Sequence, residues 1–338
     1  MAEIDRATRV KRELFLRVLM PTRPPPAIAR QLVSVMKDSV AEPGEIIYEQ
    51  GTESDAIFFV IDGEVELTSD SEEPWRFQGG SIIGVIDVNL QRPRSRTATA
   101  LTRTDLLVIK REEWLEIFED NLEYASQVRQ VQASAVHALR QELGADGGFE
   151  PKSLSPEEAL EAAVVEGTMV ERLVALRSSV HFQSASVQAL AELAARGETV
   201  RVSRGDIVLR PGGAGRGIYF VVAGIVEVER RVAPEIHAAF GPGELVLGGA
   251  GLSGDLNEYV VVARTDATLL RLTVADLDDV SEDHFDLTRS FLRAMGLERE
   301  QIMNLRARRQ RDRARSVSVA PPPAEVAGPE EPAAKRAG

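Results

Sequence analysis

Three arginines at alternate positions are the residues in this sequence best suited to binding an anion. The stretch QRPRSRTATA, residues 91–100, holds Arg92, Arg94 and Arg96 around a proline and then continues into small β-forming residues. Guanidinium groups bind phosphate and carboxylate oxygens through charge-assisted hydrogen bonds, so this loop predicts an anion site. The same spacing is typical of an exposed basic turn whose alternate residues enter the next strand. The residues by themselves leave both interpretations open.

The sequence offers few residues for disulfides, metal sites or catalysis. The chain has no cysteine, which excludes disulfides, thiolate zinc sites and cysteine nucleophiles. Its four histidines are widely scattered, so no metal site is predicted. No nucleophile–base pair or P-loop is present, which predicts a protein that is not an enzyme, has no catalytic residues and needs no cofactor.

Composition limits the partners and the compartment. A formal charge of −13 over 338 residues disfavours general affinity for nucleic acid or anionic membranes, because the mean field repels both. No apolar run approaches the roughly 20 residues that cross a bilayer. The N-terminal apolar run is interrupted by Arg17, which favours an amphipathic helix over a signal peptide. The sequence therefore predicts a cytoplasmic protein without a membrane span.

The arginine loop follows one half of an internal duplication. Residues 42–67 align without a gap to residues 203–228, at a constant offset of 161, with nine identical positions. Three of the identical positions are glycines, where a strand can turn with a positive φ. Each copy contains short β-branched and aromatic runs separated by glycine turns, such as AIFFVI and EVELTS in the first copy, which predicts hairpins.

Helical periodicity surrounds each β block. Helices are predicted over residues 8–20, 27–37, 168–178, 184–196 and 283–310, and a long amphipathic helix over 111–143. The predicted organisation is domain 1 (1–143), a Gly-rich linker (144–153), domain 2 (154–310) and a disordered Pro/Ala-rich tail (311–338).

This order of short helices, β-roll and exit helix resembles the cyclic-nucleotide-binding domain family. The resemblance is carried by PGEIIYEQGTESDAIFFVIDGEVEL and by GGSIIG followed by QRPRSRTATA. In the second copy it is carried by RGDIVLRPGGAGRGIYFVVAGIVEVE and FGPGELVL. It implies a mainly β protein with flanking helices, built from two tandem jelly-roll-like β-rolls, and a regulatory function in signal transduction.

The family's ligand cassette usually reads GELA and, a few residues later, RAA. Free N–H groups at the start of a short helix receive the cyclic phosphate, an arginine neutralises it, and the glutamate accepts from the ribose. In copy one, Gly84 and Arg94 match this pattern, and the implied ligand set is Gly84, Val85, Ile86, Arg94 and Ser95. Val85 stands where the glutamate belongs, so the phosphate half is kept and the ribose half is lost.

Copy two shows the reverse. Gly243, Glu244 and Leu245 are intact, but the arginine position falls within residues 255–258, which hold no cation. Without a cation, the second cassette is predicted not to bind cyclic nucleotides. Glu244 is then a family remnant or a structural hydrogen-bond acceptor in preference to a ribose ligand.

Two segments are candidates for binding a protein partner or for self-association. One is the helix 111–143, and the other is the basic C-terminal segment RARRQRDRAR, residues 306–315, for which a solvated helix end is an equal alternative. A DNA-binding domain is not predicted, because the roughly 30 helical residues after the second β-roll are too few for a winged helix.

Two functions remain. In the first, the protein is a cytoplasmic regulator that binds a cyclic nucleotide, or a related anion, in domain 1 only. In the second, both sites are degenerate, and the tandem is a ligand-free module for protein interaction or assembly.

Overall fold

The computed structural model describes residues 6–20, 22–143, 166–211, 217–230, 236–253 and 259–318. The predicted linker at 144–153 and the arginine position of copy two at 255–258 lie outside these residues, as does the tail beyond residue 318. The domain boundaries therefore stay predictions.

Short helices precede each β-roll, as the periodicity predicts. The second of them begins at Pro26, where the missing proline N–H costs no intrahelical hydrogen bond. Before the first β-roll the helices are α1 (Arg6–Leu19) and α2 (Pro26–Val35), and before the second they are α6 (Met169–Ser178) and α7 (Val187–Arg196).

Domain 1 folds into two antiparallel sheets. Their strands are β1 (Lys37–Ala41), β2 (Ile46–Tyr48), β3 (Ala56–Asp62), β4 (Glu64–Thr68), β5 (Trp75–Gln78), β6 (Ile82–Ile83), β7 (Thr97–Ala100) and β8 (Thr104–Lys110). The sheet orders are β1-β8-β3-β6 and β2-β7-β4-β5, and a short helix α3 (Val85–Leu90) follows β6. The aliphatic and aromatic side chains of the inner faces form the core between the sheets.

Domain 2 repeats this topology. Its strands are β9 (Glu198–Val202), β10 (Ile207–Leu209), β11 (Ile218–Ala223), β12 (Val226–Arg230), β13 (Ile236–Phe240), β14 (Val260–Ala263) and β15 (Ala267–Leu272). They pair as β10-β14-β12-β13 and β11-β15-β9. The position of β6 is taken here by a single bridge between Phe220 and Leu245, and a 3-10 helix (Gly248–Ser253) follows. The predicted tandem of β-rolls with flanking helices is confirmed.

The predicted helix 111–143 is two helices, α4 (Arg111–Asp120) and α5 (Leu122–Leu143). Asn121 separates them with φ −135° and ψ 69°, and its side-chain Nδ2 donates to the carbonyl of Ile117 at 2.8 Å. An asparagine side chain competes with the backbone for such a carbonyl, which ends the first helix. Trp114, Phe118 and Tyr124 are buried in the core of domain 1 across this break.

The last helices are α8 (Val274–Asp283) and α9 (Phe285–Ser318). The prediction that helix ends at residue 310 was wrong, because α9 continues through Ser318. The first half of α9 places Phe291 and Met295 in the core of domain 2. Its second half packs Met303 and Ala307 against the core of domain 1. One helix therefore contributes to both cores.

Two turn glycines of domain 1 give a matched pair of stability predictions. Gly63 has φ +102°, and a Cβ there would lie 2.5 Å from Thr104 Oγ1, whereas Gly44 at φ +86° has open space around it. We expect Gly63→Ala to lower the free energy of unfolding by about 2–4 kcal/mol, and Gly44→Ala by about 1–2 kcal/mol. Urea denaturation measures both, and equal losses would contradict the steric explanation.

Candidate functional site

The candidate cassette of domain 1 begins at Gly84, which caps α3 at its N-terminus. Its φ of +78° lies in the left-handed region, and a Cβ there would lie 2.6 Å from Nη1 of Arg94. The pairing of Ile83 with Phe58 fixes where the cassette leaves the sheet. Glycine is therefore required both for the turn and for the close approach of the arginine.

Arg94 is held by the backbone and by aromatic rings. It is 2% exposed, and its guanidinium donates to the carbonyl of Gly84 at 3.1 Å and to that of Ala56 at 2.5 Å. The guanidinium carbon lies 4.3 Å from the ring centroid of Tyr48, a cation–π contact. Burial lowers the pKa of Arg94, and the same burial raises the pKa of Tyr48. This arginine stabilises the entry to α3.

The donors around Ser95 are taken by Asp87, a buried carboxylate on α3. Asp87 Oδ2 accepts from the backbone N–H of Ser95 at 3.2 Å and from its hydroxyl at 3.1 Å. Asp87 Oδ1 accepts from Nε of Arg92 at 2.7 Å. Arg92 also donates to Glu300 of α9, with one bond of 3.0 Å. Two acidic side chains of this chain thus bind the donors that the sequence assigned to an external anion.

A cavity of about 30 Å³ remains at the cassette. Gly84, Val85, Ile86 and Ser95 line it, together with Asp87, Arg96 and side chains of α9, whereas Arg94 does not. One water needs about 10–15 Å³ by this measure, so the space holds about two or three waters. A nucleotide does not fit in it with α9 in this position.

Helix α9 closes the cassette from the side of domain 2. Met303 lines the cavity, and Asn304 Oδ1 accepts from Nη2 of Arg96 at 2.9 Å. Arg96 is 3% exposed, lies 3.9 Å from the ring centroid of Trp75 and donates to the carbonyl of Glu73 at 2.7 Å. Its lowered pKa follows from burial. All three arginines of the loop therefore have partners within the chain.

The second cassette is also held by internal contacts. Gly243 adopts φ +79°, Leu245 is buried beside Phe220, and Glu244 Oε2 accepts from the N–H of Gly241 at 2.6 Å. The last contact closes the turn from Gly241 to Glu244, in which Gly243 has its positive φ. In this structure Glu244 is a hydrogen-bond acceptor for its own turn.

A buried carboxylate from α9 sits against the 3-10 helix of domain 2. Glu298 Oε1 accepts from Nε2 of His181 at 2.7 Å and from the N–H of Gly249 at 2.9 Å, and Oε2 accepts from Arg140 of α5 at 3.1 Å. Burial alone would raise the pKa of Glu298, but these hydrogen bonds and the charge of Arg140 lower it to about 2. The cluster joins α5, α9 and the segment between α6 and α7.

The basic end of α9 lies against domain 1. Arg308 donates to Glu72 Oε1 at 3.0 Å, and Arg311 forms an ion pair with Glu73. Arg306 lies 3.6 Å from Glu142 on α5. Both segments that the sequence proposed for partners, the 111–143 region and the arginine-rich segment, thus make contacts inside the chain.

Two further findings concern only the described residues. None of their helices combines the length and apolarity needed to cross a membrane. No group of their histidines and carboxylates has the arrangement of a metal site.

A family comparison settles what this pair of β-rolls is. The family model "Cyclic nucleotide-binding domain" matches residues 39–121 and 199–284, together half of the chain. The chain belongs to the cyclic nucleotide-binding domain family. Both matched regions coincide with the two β-rolls, so the duplication in the sequence is a duplication of this domain.

Solved structures of this family give distant matches. The cAMP-bound PfPKA-R is 14% identical over 83% of this chain and 86% of its own length, with a TM-score of 0.37. The regulatory domain of Toxoplasma gondii PKA with cAMP is 15% identical over 92% and 99%, with a TM-score of 0.32. The regulatory subunit of a cAMP-independent protein kinase A from Trypanosoma brucei is 15% identical over 94% and 98%, with a TM-score of 0.33. A comparison with curated proteins gives no match.

Three functional features were missed by the sequence reasoning. Asp87 lies between Gly84 and Arg94 in the sequence, and an acidic residue within an anion site was a readable signal. The contacts of Glu300 and Met303 had no such signal, because more than 200 residues separate them from the cassette. Their position follows from the path of α9 across domain 1.

Proposed function

We propose that this chain is a non-enzymatic cytoplasmic regulatory protein whose tandem cyclic nucleotide-binding domains hold their conformation without a cyclic nucleotide. The observation that carries the proposal is Asp87, whose carboxylate accepts from Ser95 N and Oγ and from Arg92. These are donors that the family resemblance assigns to the ligand phosphate or places beside it. A second anion there would face the charge of Asp87 at close range.

Helix α9 supports the same proposal. Its Glu300, Met303 and Asn304 contact the cassette, and Arg308 and Arg311 bind the acidic pair Glu72 and Glu73. The tandem then acts as a module for assembly, with domain 1 held against domain 2 by its own chain. A protein partner that uses the basic segment of α9 must compete with domain 1 for it.

Calorimetry of the full chain with cyclic AMP, cyclic GMP and cyclic dinucleotides tests this proposal. No binding heat is expected for the unmodified protein. Asp87→Ala removes the internal carboxylate and leaves the Ser95 and Arg92 donors without it, so we expect this variant to gain measurable binding of inorganic phosphate. Asp87→Asn keeps the volume filled and is the matched control, for which no phosphate binding is expected. Cyclic AMP binding by the unmodified chain would overturn the proposal.

A second candidate is cyclic-nucleotide binding in domain 1 after α9 moves away. The observation that favours it is Nε of Arg94, a buried donor without an acceptor in the part of the chain that the structure describes. The double variant Met303→Ala, Asn304→Ala weakens the contact of α9 with the cassette. Cyclic AMP binding that appears in this variant, and is lost again with Arg94→Met, would favour the second candidate.

A further inference from the structure

A second cavity lies behind the cassette of domain 1, between the β-roll and helix α5. Its volume is about 470 Å³, within the range of about 300–1,000 Å³ that is usual for small-molecule sites. Most of its lining is apolar, with Phe77, Ile82, Val85, Val128, Val131 and Leu139 among the contributing residues. An apolar wall of this kind favours a hydrocarbon chain over a polar ligand.

Arg299 of α9 lines the same cavity and also borders the small cavity at the cassette. Its Nε is buried without an acceptor, and none of the described residues forms a hydrogen bond or ion pair with its guanidinium. Burial lowers the pKa of Arg299, with no opposing contribution from a carboxylate. Arg299 as a whole is partly exposed, but its buried Nε has no acceptor in place of water, and an anion is the natural complement of an unpaired guanidinium.

A second donor lies in the same wall. The indole Nε1 of Trp114 is buried and has no acceptor within the described parts of the chain, and Trp114 lines the cavity. Glu142 is the one carboxylate among the described lining residues, and it lies 3.6 Å from Arg306. The cavity therefore combines an apolar wall with donors that lack acceptors. That combination calls for a ligand with an apolar body and an anionic acceptor.

We infer that this cavity binds a long-chain fatty acid, with the carboxylate on Arg299 and the hydrocarbon chain along α5. A carboxylate accepts two hydrogen bonds from a guanidinium, and the pairing neutralises the charge of Arg299 inside the protein. The hydrocarbon chain of the fatty acid covers the apolar side chains of the β-roll and α5. This site adjoins the cassette, since Val85 and Arg299 line both cavities, but it uses neither Arg94 nor Ser95, and it stands whether or not the cassette binds a nucleotide.

The fluorescence of Trp114 and calorimetry with palmitate, below its micelle concentration, test the inference on the full chain. Palmitate is expected to bind, and methyl palmitate, which has the same chain without the charge, is expected to bind about ten- to a hundredfold more weakly. Arg299→Gln is expected to weaken palmitate binding by the same factor and to leave the affinity for methyl palmitate unchanged. Equal affinity for the acid and the ester in the unmodified protein would overturn the inference.

Two variants separate binding from folding. Arg289→Gln is the matched control, an exposed arginine of the same helix, and should leave palmitate binding unchanged. Ala135→Trp places an indole in the cavity from an exposed position of α5 and should abolish binding of the acid and the ester alike. Arg299→Gln removes an unpaired charge, so its thermal stability is expected to equal or exceed that of the parent. Binding to anionic phospholipid vesicles without palmitate binding would also count against the fatty-acid site.

Discussion

Replacing Glu298 by alanine is expected to lower the free energy of unfolding by about 3–5 kcal/mol, because Arg140 loses its buried ion pair with this carboxylate. The N–H of Gly249 and Nε2 of His181 lose their acceptor in the same step. Urea denaturation at pH 7 measures this loss. Glu116→Ala, at an exposed position of α4, is the control and should change stability by less than about 0.5 kcal/mol.

The pH dependence of the unfolding free energy tests whether the carboxylate of Glu298 causes this stabilisation. The pKa of Glu298 falls from an ordinary 4.5 to about 2, so its stabilisation is complete above pH 4.5 and is lost as the pH falls towards 2. The shift corresponds to about 3 kcal/mol at roughly 1.4 kcal/mol per unit. The stability difference between the unmodified protein and Glu298→Gln should shrink over this window. A difference that is constant from pH 7 to pH 2.5 would contradict the assignment.

Replacing Arg94 by methionine is expected to cost about 2–4 kcal/mol of unfolding free energy without changing any ligand affinity. The substitution leaves the carbonyls of Gly84 and Ala56 without their donor and removes the contact with Tyr48. Relief from burying the charge offsets part of this loss. Thermal unfolding and calorimetry with cyclic AMP, made on the same samples, measure both properties.

The control for Arg94 is Arg103→Met, an exposed arginine whose ion pairs at 3.3 and 3.5 Å are on the surface. Surface pairs of this kind contribute about 0–1 kcal/mol, so stability should hardly change. If Arg94→Met keeps its stability but abolishes a cyclic AMP signal seen in the parent, Arg94 is a ligand residue and our structural role for it is wrong.

The repeat explains why the fold could be predicted. Residues 42–67 and 203–228 share glycines at the strand turns, and the structure gives the equivalent residues Gly63 and Gly224 φ values of +102° and +83°. Local sequence controls such turns, because only glycine adopts this conformation without strain. The predicted helices before each β-roll were correct for the same reason, since their amphipathic periodicity is local.

Long-range contacts explain what could not be predicted at the site. The loop arginines Arg92 and Arg96 pair with Glu300 and Asn304, each 208 residues away. In the sequence, a basic loop fits an anion site, because the sequence gives its charges but not the distant residues that pair with them. The broken helix at Asn121 is an intermediate case, since the bond of its side chain to Ile117 is local but its contact with Gln31 of α2 is not.

The sequence by itself determined the duplication and its β-hairpins, because hydrophobic alternation and glycine turns are properties of neighbouring residues. The two β-rolls and a cassette at Gly84 and Arg94 were predicted from the family resemblance. Only the tertiary structure decided what the arginines bind. Asp87 meets Arg92 within the same stretch of chain, whereas α9 reaches the arginines because its two halves pack into two different cores. The charge pattern is local, but charge compensation depends on which distant elements the packing brings together.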